Sequence, residues 1–278
     1  MIQLFCRFPV LFGLLSLLTL AGCEAGNQPG TDTQKPADSE ATVVDLSYDF
    51  SKDTVYWVTA KQFEKETVAE GETEAGFYYS AYNYSAAEHG GTHIDSPIHF
   101  AEGKLTVDKI PLEKLMGPAV MIDVSEEASK DRNYLISIED IEGWEKANGE
   151  IAKGTIILFR TGFGAFYPDA EKYLGTANRG DDAVSELSFP GLDPKAAKWL
   201  VENRSPNAVG LDTASIDHGP SKEFAAHVAL MTNDIPAFEN VANLDKLPAK
   251  GFRIIALPMK IKDGSGAPVR IVALVENG

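Results

Sequence analysis

The sequence predicts a mixed α/β domain over residues 42–278, and three observations predict it. Segments rich in Val, Ile, Tyr and Phe recur along the chain, and two helices with clear start signals lie among them. After Thr42 no further linker, low-complexity stretch or repeat of 20 to 50 residues interrupts the globular composition, so one domain is expected. A β-rich first half followed by alternating helix and strand excludes an all-β sandwich and a helical bundle.

Strands are expected at 43–46, 54–58 and 76–84, then at 119–124 and 155–160. The stretches 208–211, 253–257 and 269–275 complete the set. The first helix opens at Ser137, where a hydroxyl can cap the backbone and Asp140 follows three residues on, and it runs through Trp144. The second opens at Asp193-Pro194, a capping carboxylate before a proline at the first helical position, and runs to about Arg204.

Composition narrows the function. The chain has 278 residues, with 25 Lys+Arg against 41 Asp+Glu and a formal net charge of -16, so it repels phosphate backbones and no nucleic-acid partner is expected. With 44% hydrophobic and 24% charged residues it is neither collagen-like, coiled-coil nor wholly disordered. A globular part of roughly 240 residues buries about 70–75% of its extended surface, enough to hold a core without disulfide or structural metal. A metal site in such a chain therefore implies chemistry.

Residues 1–22 carry one charged side chain, Arg7, ahead of a short apolar run, and read as a secretory signal too short to span and stay. The run ends Leu20-Ala21-Gly22-Cys23, which resembles a bacterial lipobox, so Cys23 is expected to carry lipid after cleavage. The only other cysteine, Cys6, would leave with the signal. Residues 24–41 hold no aromatic, branched aliphatic or Met residue and read as a flexible tether. The expected location is the bacterial cell envelope, facing the periplasm or exterior, with membrane contact through the lipid anchor alone.

Three of the five histidines, His89, His93 and His99, fall within eleven residues. Gly90 and Gly91 permit a tight turn and Pro97 excludes a continuous helix. If residues 92–95 are extended, His93 and Asp95 project to one side, and the glycine turn can fold His89 back toward them. Two imidazoles and a carboxylate form an N/O set suited to Zn, Mn or Fe with coordination positions left open. His99 titrates near working pH and is a candidate proton carrier, with a role as further ligand as the alternative.

The run HGGTHIDSPIHF resembles the H-x-G-T-H-x-D-x-P-x-H signature of the metal-dependent cyclase family, whose members include bacterial kynurenine formamidases and isatin hydrolases. Asp45-Leu46-Ser47, FPGLDPKAAKWL from Phe189, VGLDTASID from Val209 and the stretch from Asn243 also look like family blocks, in family order. The resemblance implies that His89, His93 and Asp95 bind one divalent ion, that Asp95 can bridge to a second, and that His227 and Glu239 complete that second site. One or two ions, Zn or Mn, are the implied cofactors. It further implies that His99 carries the proton, that Tyr56 and above all Trp57 contact substrate, that the fold is a mixed-sheet swivelling β/β/α domain, and that the chain forms a homodimer.

The activity so implied is amidohydrolysis by hydroxide generated on the metal, opening a C–N bond in a small aryl formamide or cyclic amide. No G-x-S-x-G elbow or phosphate-binding glycine loop offers another nucleophile or cofactor. A lactone or cyclic ester hydrolase is the alternative within the family. A non-catalytic metal- or solute-binding lipoprotein shares the signal, tether and histidines, but has no need of His99 beside a sufficient ligand set. His218, in SIDHGPSKEF, looks more like the isatin-hydrolase branch and reads as a loop histidine; Asp212 and Asp217 read as turn or cap residues.

Overall fold

The computed structural model describes residues 41–276. Residues 1–40, which include Cys23 and the stretches the sequence reading takes as signal and tether, lie outside the described residues. Twelve strands are present among them: β1 Thr42–Asp45, β2 Glu64–Glu72, β3 Tyr78–Ser85, β4 His93–Asp95, β5 Met116–Asp123, β6 Leu135–Ile136, β7 Ile156–Arg160, β8 Gly191–Leu192, β9 Ala208–Leu211, β10 Ala237–Glu239, β11 Phe252–Pro258 and β12 Gly266–Val275. The α-helices are α1 Leu112–Leu115, α2 Ser125–Lys130, α3 Ile138–Asn148, α4 Ala170–Leu174, α5 Pro194–Asn203 and α6 Ala225–Met231. No helix among the described residues is long and apolar enough to cross a membrane.

Eight strands form one mixed sheet in the order β1-β12-β11-β5-β7-β9-β10-β4. The steps from β5 through β7 and β9 to β10 are parallel, and the remaining pairings are antiparallel. The three-residue β4 pairs with β10 on one side and with the start of β12 on the other, which closes the sheet on itself like a barrel. The α/β class and the mixed sheet expected from the sequence are both present.

Alternation along the strands divides the core. Ile156 and Leu158 of β7 face inward with Ile94, Phe238, Ile254 and Ile271, whereas Ile157 and Phe159 face outward beneath the helices. Both faces of β7 are covered, which explains its unbroken apolar run. Each large apolar side chain so buried contributes roughly 1.5–3 kcal/mol of transfer free energy.

Both predicted helices form where their caps place them. Ser137 Oγ accepts from Asp140 N while Asp140 Oδ2 accepts from Ser137 N, a reciprocal capping box, and α3 continues past Trp144 to Asn148. Asp193 caps α5 with Pro194 at its first turn. Ile141, Ala196, Ala197 and Leu200 turn the buried faces of these helices onto the outer side of the sheet.

One expected strand is absent: residues 54–58 make only an isolated bridge, Tyr56 to Gly90. Their polar backbone groups are satisfied elsewhere, with Val55 N donating to Tyr167 Oη and Val55 O accepting from Gly91 N. The segment is a buried irregular wall beside the site. The strongly charged β2 had no apolar alternation to announce it and exists by pairing with the tyrosine-rich β3.

Candidate active site

The inward direction of Ile94 and Phe238 decides where the neighbouring side chains go. Because strand side chains alternate, His93 and Asp95 of β4 and Glu239 of β10 face outward together. His93 and Glu239 are register partners across the antiparallel pair, so their side chains are neighbours. His227 arrives above them from α6, and Ile94 below them is fully buried.

The turn before β4 is shaped by close contacts. Gly91 has φ +57°, and a Cβ on Gly90 would lie 2.0 Å from the Tyr56 ring. Asn240 Nδ2 donates to Gly91 O at 2.8 Å and Tyr173 Oη donates to Asn240 Oδ1 at 2.9 Å, which pins the turn to the strand carrying Glu239. After β4, one 3-10 turn spanning Pro97–His99 lifts His99 to the pocket mouth, where its ring stacks on His89 at 3.8 Å between centroids.

Each of the three inner histidines has one ring nitrogen tied outward. His93 Nδ1 donates to Gly91 O at 3.0 Å. His227 Nδ1 lies 2.6 Å from Asp217 Oδ2, and His89 Nε2 lies 2.9 Å from Ser265 Oγ. The other nitrogens converge on two carboxylates. His93 Nε2 stands 3.2 Å from Asp95 Oδ1 and 3.4 Å from Glu239 Oε2. His227 Nε2 stands 3.3 Å from Asp95 Oδ2 and 3.1 Å from Glu239 Oε1, and His89 Nδ1 stands 2.5 Å from Asp95 Oδ1.

This donor set fits a divalent cation. His93 Nε2 is buried without a hydrogen-bond partner among the described residues. Its lone pair faces carboxylate oxygens, an arrangement of acceptors against acceptors that positive charge reconciles. Burial disfavours charge on His93, yet Asp95 and Glu239 overcome it and lift its pKa to about 9. His227 is likewise driven well above its ordinary value against burial, chiefly by Asp217, Asp95 and Glu239. Burial and the Asp95 charge raise Glu239, whereas His93 and His89 hold Asp95 well below the usual carboxylate range against burial. Protons on the imidazoles balance a charge that a cation would balance instead.

Every ligand candidate read from the sequence reaches this place, and the structure groups them by mutual reach. His93, Asp95 and Glu239 form one set and His89, Asp95 and His99 another, with each set's ligand atoms within 4.8 Å of one another. Asp95 belongs to both, the position of a bridging carboxylate. His89 and His93, expected together, meet at the same Asp95 Oδ1, and His93 also reaches Glu239. His99 lies within ligand reach of His89 and Asp95 while also exposed at the mouth. Although its outer edge stays exposed, the face stacked on His89 loses water, and that loss with the neighbouring imidazoles outweighs the pull of Asp95 and holds its pKa down to about 4. This lies below the titration near working pH expected from the sequence, so the ring is neutral and able to accept a proton.

The cluster floors a pocket of about 310 Å3 walled by Val55, Trp57, Phe100 and Phe224. Trp57 packs edge-on against Phe189 and tilts toward Phe224, whose ring centroid is 6.2 Å away. Trp57 is thus a pocket wall in a loop. Phe100, 4.5 Å from both His99 and His227, was not singled out in the sequence although it directly follows the motif. Phe224 directly precedes α6 with φ +47°, a strained conformation for a large side chain that aims the ring at the pocket. Asp217, read as a cap, both caps α6 through Ala226 N and His227 N and orients His227. His218 is half-buried in the loop and does not line the pocket.

The family model described as "Putative cyclase" matches residues 44–218. The chain belongs to the cyclase family of metal-dependent hydrolases. It is 31% identical over 242 residues to the isatin hydrolase of Roseibium aggregatum, covering 84% of this chain and 86% of that one. It is also 31% identical over 230 residues to the kynurenine formamidase of Bacillus cereus, covering 82% and 95%. Among solved structures, isatin hydrolase A from Ralstonia solanacearum superposes with a TM-score of 0.77 at 30% identity, covering 84% of this chain and 92% of that one.

Proposed function

We propose that this chain is a metal-dependent amidohydrolase, arylformamidase- or isatin hydrolase-like, that opens a C–N bond in a small aryl formamide or cyclic amide. The observation that carries the proposal is the convergence of three outward-tethered imidazoles on Asp95 and Glu239 beneath an aromatic pocket. His89, His93, Asp95, His227 and Glu239 would hold one or two ions, Zn or Mn. A divalent ion there supplies positive charge that polarises the substrate carbonyl and acidifies water.

The chain's own residues do the rest. Trp57, Phe100 and Phe224 hold the aryl ring and exclude bulk water, which strengthens every charge interaction below them. His99, at the mouth, accepts a proton from the attacking water on a ring nitrogen and returns it to the departing nitrogen. Water thereby adds across the C–N bond, its oxygen going to the carbonyl carbon and its proton to the amine. The test is a turnover panel with N-formylkynurenine, isatin and an aryl lactone. Hydrolysis of the amides above the lactone supports the proposal, and hydrolysis of the lactone alone overturns the C–N assignment.

The homodimer we propose uses the β2–β3 hairpin. Phe77, Tyr78, Tyr79, Tyr82 and Tyr84 are all exposed, with Tyr78 at 64%. Tyr78, Tyr82 and Tyr84 share one face of the two-stranded sheet, which is marginal alone in water. Roughly 100 Å2 each, these three present about 300 Å2 of apolar surface on one face, beside the exposed Met259 that Tyr84 touches, a contribution toward the roughly 800 Å2 per partner that a stable pair buries. Glu64, Glu66, Glu70 and Glu72 on β2 oppose insertion into an anionic bilayer. Sedimentation of the domain from Thr42 is expected to find a dimer that Tyr78, Tyr82 and Tyr84→Ser converts to monomer. A monomeric parent would contradict this.

We also propose that Cys23 is the lipidated N-terminus of an envelope protein, supported by the Leu20-Ala21-Gly22-Cys23 run and the unpackable segment after it. Mass spectrometry of the mature protein from a bacterial host should find an acylated Cys23 with residues 1–22 gone. An intact N-terminal segment with a free Cys23 thiol would contradict the assignment.

A further inference from the structure

The outward tethers of His93 and His227 are selective by chemistry, because a carbonyl and a carboxylate can only accept a proton. The tether of His89 is different. Its Nε2 meets the hydroxyl of Ser265, and a hydroxyl can accept from a protonated Nε2 or donate to a bare one. By itself Ser265 does not determine which nitrogen of His89 turns inward with its lone pair.

Glu88 removes that ambiguity. Its Oε2 accepts from Ser265 Oγ at 2.7 Å and from Ser265 N at 3.0 Å, so the single hydroxyl proton is already committed. Ser265 Oγ has only lone pairs left for His89, which must present Nε2–H to it. Nδ1 is left as the inward nitrogen, 2.5 Å from Asp95 Oδ1, a hydrogen-bond distance at which a proton lies between them; a cation would take the place of that proton while Nε2 keeps its own. The serine is itself fixed to the ligand strand, since Ser265 O accepts from both Ser96 N and Ser96 Oγ.

The sequence around Ser265 is shaped for these contacts. A Cβ on Gly264 would lie 2.9 Å from Glu88 Oε1, and a Cβ on Gly266 would lie 2.5 Å from His89 Cε1 and 2.6 Å from Ile94 O. Only a Gly-Ser-Gly turn lets both partners close on the serine. Neither glycine adopts a left-handed conformation, so close approach, not φ, is what requires them.

We propose that Glu88 and Ser265 are positioning residues that select the Nε2–H tautomer of His89 and thereby make its Nδ1 a metal ligand. This rests on the metal-site reading above. The experiment measures Zn2+ affinity by chelator competition for the parent domain and for Ser265→Ala, Glu88→Ala and Glu88→Gln, with thermal melting of the metal-free proteins. Ser265→Ala and Glu88→Ala should weaken Zn2+ binding about 10–100-fold with little change in melting. Glu88→Gln keeps an acceptor for the Ser265 proton and should remain near the parent.

Nitrogen-15 spectra of histidine-labelled, Zn-loaded parent should place the His89 proton on Nε2. A proton on Nδ1, or unchanged affinity in both alanine variants, overturns the positioning role while leaving the metal site standing. A parent that binds no Zn2+ overturns the site and, with it, this role.

Discussion

Asp95→Asn is expected to lower kcat/KM by on the order of 10³-fold or more and to remove most of the bound metal. Asp95 is the residue on which the whole cluster turns: Oδ1 faces His89 and His93, Oδ2 faces His227, and both ligand sets include it. The amide keeps the shape but removes the charge and turns an N–H2 group toward imidazole nitrogens that must stay bare to bind a cation. The metal-free fold should survive, because that amide can donate to His227 Nε2 or His93 Nε2 and its neutrality relieves repulsion with Glu239. Metal analysis and steady-state kinetics on the same preparation check this. Parent-like metal content would exclude Asp95 as the central ligand.

His99→Ala is expected to lower kcat about 10²–10⁴-fold, with metal content retained and KM little changed. The ring sits above the cluster, stacked on His89 with Phe100 at its edge, and lines the pocket with no side-chain hydrogen bond among the described residues that would mark a structural role. Because the ring is exposed at the mouth, its truncation opens no buried cavity. The informative comparison is metal content. Loss of metal with activity would make His99 a ligand beside His89 and Asp95, which their mutual distances allow.

What the sequence made legible was local. The turn, strand and 3-10 segment from His89 to His99 lie within eleven residues, and strand alternation correctly put His93 and Asp95 on one face. The buried strands β5, β7, β9, β11 and β12 announced themselves by Val and Ile content, and α3 and α5 by caps a few residues from their own first turns.

What escaped was held from a distance. Helix α6, which carries His227, has Phe224 at its start in place of a capping side chain and takes its cap from Asp217, eight residues before Ala225. No local start signal exists, so both the helix and the second role of Asp217 were invisible. His227 and Glu239 were placed by resemblance, since Glu239 meets His93 only through the β4–β10 register and His227 arrives from a separate helix. Likewise Ser265 reaches His89 across 176 positions, and the 54–58 wall is shaped by Tyr167 and Gly91 instead of a neighbouring strand.

The central claim is that this cluster holds a divalent ion that hydrolysis requires. Metal content per chain on the domain from Thr42, paired with N-formylkynurenine and isatin turnover before and after chelation, tests it most directly. The proposal predicts one or two equivalents of a divalent ion, Zn or Mn, turnover lost on chelation, and turnover restored when the ion returns. A domain that binds no metal, or that hydrolyses these substrates equally well after complete chelation, would contradict it.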